Sequence, residues 1–132
     1  GINIDVTAVP EDGYWSNIWL KEPFIASYWG GRPTADWMFS TAYESSAAWN
    51  ESHWNNAKFD QLLVAARAEL DEVKRTQMYH DLQSICRDDG GTVVAGFSNS
   101  ILAIGNGVQT PDTIGGNWPM DGDKSLERWW FT

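Results

Sequence analysis

Trp29, Gly30, Arg32, Asp36 and Trp37 fall within one short stretch, Phe24 to Phe39, and together offer two flat aromatic walls, a cation, an anion and a turn. These residue types suit the holding of a polar solute, with no bond made or broken. The stretch begins as an apolar run of strand length, breaks at Gly30-Gly31 and Pro33, and restarts with helical spacing, so it reads as strand, tight turn, helix. Such a turn lies beyond the carboxyl end of a strand, where open α/β sheets usually bind their ligands. A plain strand-to-helix connection with both tryptophans in the core fits the local sequence equally well.

The elements that would position this turn follow from periodicity. Ile2, Ile4 and Val6 alternate with polar residues, which predicts a strand over residues 2–9, and Phe24 to Trp29 predicts a second. Between them, Tyr14/Ile18 and Trp15/Trp19 at i, i+4 predict a short helix from about Glu11 to Leu20, ended by Pro23. Pro33 opens a helix running to about Tyr43. Residues 44–56, rich in Ser and Asn, read as a long loop in which Trp49, His53 and Trp54 are further candidates to line a site.

The firmest helices come next. Phe59, Leu62, Leu63, Ala66 and Leu70 form one stripe behind a cap at Asn55 or Asn56, predicting a helix over 56–70. Val73, Met78, Leu82, Ile85 and Cys86 form a second behind Asp71, predicting a helix over 72–89 that Gly90-Gly91 stops in the usual left-handed manner. Thr92 to Phe97 is apolar on both faces and reads as a central strand, with a short edge strand near Ile101 to Ile104. The aromatic tail Trp129-Trp130-Phe131 needs something to cover it.

Composition removes several classes of function. With 18 acidic residues against 9 basic and a net charge of −9, the chain lacks the basic patch that a nucleic-acid backbone requires. Two histidines and one cysteine give no zinc spacing and no internal disulfide, and Cys86 on its apolar stripe reads as core. The glycine pairs match neither phosphate-loop spacing, there is no GxSxG elbow, and no carboxylate pair is marked as an acid/base couple. The chain is therefore expected to be no enzyme and to need no cofactor or metal. No apolar run is long enough to span a membrane, and the length suits one domain with one core. Nine tryptophans mean either a bulky core or an aromatic binding surface, and composition does not choose.

Four segments carry a resemblance. Gly1-Ile2-Asn3-Ile4-Asp5-Val6, Ala26 to Asp36, Trp54 to Asp71 with Lys74-Arg75 and Tyr79, and Gly91 to Phe97 resemble, in order, segments of the carboxyl-terminal part of the family 5 extracellular solute-binding proteins, the peptide/nickel-type binding components of ABC importers. The third segment is the most specific, similar to the family's N-x-x-F-D-x-L-L-x-x-A-R helix and the D-x-x-K-R-x-x-x-Y helix after it. Pro33-Thr34-Ala35-Asp36 departs from the family's usual D-P-D ligand loop, and Ala95-Gly96 from its proline-containing hinge strand.

The resemblance implies an α/β fold: the second lobe of a class II periplasmic-binding-protein-like architecture, a small sheet with flanking helices. Residues 1–98 would belong to that lobe, and 99–132 to a return segment packing on a first lobe in a longer protein. It implies capture of a peptide or similar small solute, delivery to an ABC permease and a periplasmic or extracellular location. Trp29, Gly30, Arg32, Asp36 and Trp37 would then be ligand-binding. Asp36 would take a cationic group such as a peptide ammonium and Arg32 a carboxylate, unless either bridges to the other lobe. Alone, the chain is expected to bind weakly and to form a homodimer. The alternative reading is a stand-alone carbohydrate-binding or protein-interaction module with its tryptophans spread along a sheet.

Overall fold

The strongest hydrophobic stripe in the chain builds the centre of the computed structural model, which describes all 132 residues. Helix α3 (Ala57–Ala68) packs against helix α4 (Glu72–Asp89), close to the expected bounds of both. Asn56 caps α3 by accepting from Phe59 N at 3.0 Å, and Asp71 caps α4 by accepting from Lys74 N at 3.0 Å. The corner between them is fixed by Glu69, whose carboxylate takes Asp71 N at 2.8 Å while its carbonyl accepts from Arg75 at 3.2 Å. Phe59, Leu63, Ala66 and Leu82 are wholly buried and meet Phe39, with Met78, Tyr79, Ile85 and Cys86 around them.

Phe39 reaches this core from a helix that changes pitch. Thr34 caps α2 (Ala35–Met38) by accepting from Trp37 N at 3.2 Å, and the helix then widens into a π-helical turn, Phe39–Tyr43, closed by Glu44 N donating to Phe39 O. The wide turn buries both Phe39 and Ala42. Earlier in the chain, α1 (Tyr14–Asn17) is shorter than expected, its N-terminus set by Gly13 at φ 83° and its exit by Leu20 at φ 63°.

The sheet differs most from expectation. Residues 2–9, 24–29, 92–97 and 101–104 contain no strand. The only sheet is an antiparallel pair of two-residue strands, β1 (Val108–Gln109) and β2 (Trp130–Phe131), so the protein combines helices with a small sheet and has no parallel α/β layer. Alternating apolar residues give a strand only where a neighbouring strand takes up the backbone groups and covers the face. Ile2, Val6, Val93 and Phe97 are 80 % or more exposed, so these extended segments meet no such neighbour. The single core expected from the length is correspondingly small, with 8 of 132 residues buried.

Gly90 is also corrected: it leaves α4 at φ −66°, ψ 146°, in the extended region and not in a left-handed cap. Glycine is needed there for space, since a Cβ would run into the Cys86 carbonyl oxygen. The left-handed turn of the chain lies instead at α5 (Pro119–Gly122), where Met120, Asp121 and Gly122 all have positive φ, just before α6 (Ser125–Arg128). Buried Asp121 holds it by accepting from Gly115 N at 2.6 Å, Arg128 at 2.7 Å and Trp129 Nε1 at 3.2 Å.

Candidate ligand-binding site

Glu51, in the middle of the Ser/Asn-rich loop, gathers the aromatic residues of the N-terminal third. Its Oε2 accepts from Trp19 Nε1 at 2.6 Å, and its Oε1 accepts from Ser27 Oγ at 2.7 Å and Trp29 Nε1 at 3.0 Å. A half-buried carboxylate can accept four hydrogen bonds, so three of its positions are filled, all by neutral donors. No lysine or arginine forms an ion pair with it.

The rings around this carboxylate pack edge-on. Trp15 meets Trp19 at 5.6 Å between centroids and Tyr28 at 5.8 Å, while Trp49 meets Trp19 and Trp29 at 6.1 Å each. Three of these pairs are T-shaped and Trp29–Trp49 is tilted at 53°, and the rings line a cavity of about 380 Å³. Tyr14 ties α1 to the extended segment by donating to Ala26 O at 2.7 Å. Partial burial and then the charge of Glu51 hold its hydroxyl above the usual tyrosine range, so it remains a donor.

Gly30 and Arg32 complete the lining. The Arg32 guanidinium stands 5.8 Å from the Trp29 ring centroid and 5.9 Å from that of Trp37, and its Nη1 donates to the carbonyls of Gly30 and Gly31. Its Nε and Nη2 make no protein hydrogen bond.

Of the residues singled out from sequence, Trp29, Gly30, Arg32 and Trp49 thus line one cavity. Trp37 stands outside it as a half-exposed platform for Arg32. Asp36 is turned away: its carboxylate accepts from Arg67 Nε at 2.7 Å and Tyr79 Oη at 3.0 Å, and Arg67 also reaches Ser40. That bridge ties α2 to α3 and α4. It raises the Arg67 pKa, and burial with the Asp36 bond raises that of Tyr79. Asp36 already has its cation within the protein.

Trp54 packs on Phe59 and donates to Asp89 at 3.1 Å, and His53, at φ 52°, is not part of the lining. Sequence reasoning missed Trp15, Trp19, Tyr28 and Glu51. The i, i+4 pairing of Trp15 with Trp19 was the available signal, but it reads first as a core stripe. Nothing in the local sequence sets Glu51 apart from the other carboxylates. Nor does the cavity lie at the end of a strand, because residues 24–29 are extended without a ladder.

Comparisons of the chain with protein-family models, with curated proteins and with solved structures found no match. No helix is long and apolar enough to cross a membrane.

Proposed function

We propose that this chain captures a small solute without transforming it, as part of a binding protein that serves an ABC importer in the periplasm or outside the cell. The observation that carries the capture reading is the convergence of five aromatic rings on one cavity with a single carboxylate inside and a single arginine at its edge. Binding sites for small molecules have this make-up, mostly apolar walls with a few placed polar groups, and a volume in the same range. The importer rests on the four sequence segments that resemble family 5 binding proteins. A sugar-binding module with tryptophans along a sheet fits less well, since the two short strands carry only Trp130 and Phe131 among the aromatics.

The reading is tested by thermal-shift screening of the 132-residue chain against oligopeptides, amino-acid derivatives and sugars. A saturable rise in melting temperature that is lost in Trp49→Ala and kept in Trp54→Phe is the expected result. A flat response across the whole set would overturn it.

A further inference from the structure

Two opposite charges line the aromatic cavity, the Glu51 carboxylate and the Arg32 guanidinium, and they form no ion pair with each other. The Glu51 carboxylate accepts from two indole N–H groups and a serine hydroxyl, neutral donors that fill three of its four acceptor positions without cancelling a charge. Indoles that donate to a carboxylate are polarised by it, which makes their faces more electron-rich. The rings of Trp15, Trp19, Trp29 and Trp49 line the cavity, and the Arg32 guanidinium already stands 5.8 Å from the Trp29 ring centroid. A carboxylate behind aromatic rings attracts a cation, here in an open cleft where Tyr28 is 79 % and Trp15 and Trp49 are 49 % exposed.

The cation is further defined by what the cavity lacks. With most of the Glu51 acceptor capacity used, few positions remain for a ligand that brings many N–H or O–H groups. A primary ammonium or a sugar would lose more hydration than the site returns. An alkylated ammonium carries its charge under methyl groups, demands no hydrogen bonds, and gains from ring faces. Arg32 at the edge would repel a bare cation, yet its unused Nε and Nη2 form the fork that binds a carboxylate.

We infer that the cavity formed by Trp15, Trp19, Tyr28, Trp29 and Trp49 around Glu51 binds a zwitterion of betaine type, its quaternary ammonium in the aromatic box and its carboxylate on Arg32. The inference rests on the solute-capture reading and names the chemistry of the solute.

Tryptophan fluorescence of the 132-residue chain, titrated at constant ionic strength with glycine betaine, choline, tetramethylammonium, free glycine, a tripeptide and a disaccharide, tests it. Glycine betaine should give a saturable change, with free glycine at least about tenfold weaker because it lacks the methyl groups. Glu51→Gln should weaken betaine binding by about tenfold or more. Arg32→Gln, which leaves the box intact, should weaken glycine betaine while strengthening choline and tetramethylammonium. That opposite movement cannot arise from unfolding, so the test survives a poorly folded Glu51→Gln. Saturable binding of the tripeptide or disaccharide without the methylated compounds would overturn the betaine assignment and leave solute capture standing. Silence toward every compound in the set, with no thermal shift in the broader screen, would overturn both.

Discussion

Asp36 and Glu51 show how similar carboxylates acquire opposite roles from their surroundings. Asp36 faces a permanent cation, Arg67, and a tyrosine hydroxyl, whereas every side chain that donates to Glu51 is neutral. Asp36→Ala should therefore cost about 1–2 kcal/mol of stability, through the unpaired Arg67 and Tyr79, and leave ligand affinity unchanged. Chemical denaturation together with a binding titration checks both halves. A loss of affinity with full stability would return Asp36 to the site. Asp121 belongs with Asp36: it is fully buried, paired with Arg128 at 2.7 Å, and holds a left-handed turn. Asp121→Ala should cost about 1–3 kcal/mol, through the Gly115 and Trp129 donors left unpaired, seen as early loss of the β1–β2 pair by hydrogen exchange.

The helical pair stands on its caps and on a narrow set of contacts. Asn56 both accepts from Phe59 N and donates to Asp89 at 2.8 Å, so it joins the start of α3 to the end of α4. Asn56→Ala should lower stability by about 1–2 kcal/mol in urea, with helical circular dichroism at low denaturant unchanged. The same element has a built-in alkaline limit. Burial pushes the Cys86 thiol up from 9.0 to about 11, and burial likewise raises Tyr43 and Tyr79 above 10.0. A raised folded-state value means the neutral form is the one the fold prefers. The stability contributed is full below pH 9 and is lost as pH rises through about 11. The urea midpoint should hold level up to pH 9 and fall above it. Cys86→Ala should remove the early part of that fall and leave the tyrosine part above pH 10. A midpoint still level at pH 11 would show that these groups ionise without cost.

At the scale of the whole molecule, surface area is the informative quantity. The chain exposes 10334 Å², whereas a folded monomer of 14.8 kDa exposes about 7,000 Å². The excess on one chain, about 3,000 Å², is at least one partner's share of a large obligate interface. Much of it is apolar and extended: Val93 is 84 %, Phe97 93 % and Ile101 95 % exposed. Unpaired extended segments of this kind recruit another strand, and a second copy offers one. Sedimentation at micromolar concentration should show reversible self-association, shifted toward monomer by Phe97→Ser with Ile101→Ser and with no loss of helix. A monomer before and after substitution would show that these segments are stable in water as they stand.

What the sequence determined alone is the part governed by contacts near in the chain. The stripes of α3 and α4, the caps at Asn56 and Asp71, the partial burial of Cys86 against the core and the irregular loop over 44–56 all follow from spacing and cap chemistry, because a helix satisfies its own backbone groups. Trp29, Gly30 and Arg32 stood out by residue type and share one cavity lining, although residues 29–32 form no turn. Tertiary structure decided everything that depends on distant partners. The period-two runs at 2–9, 24–29 and 92–97 remain extended and unpaired, because a strand exists only when another segment completes its hydrogen bonds. Trp19 meets Trp49 and Trp15 meets Tyr28 instead of a helical core, and Asp36 is drawn to Arg67 and Tyr79. Glu51 was one acidic residue among eighteen until folding brought Trp19, Ser27 and Trp29 onto its two oxygens.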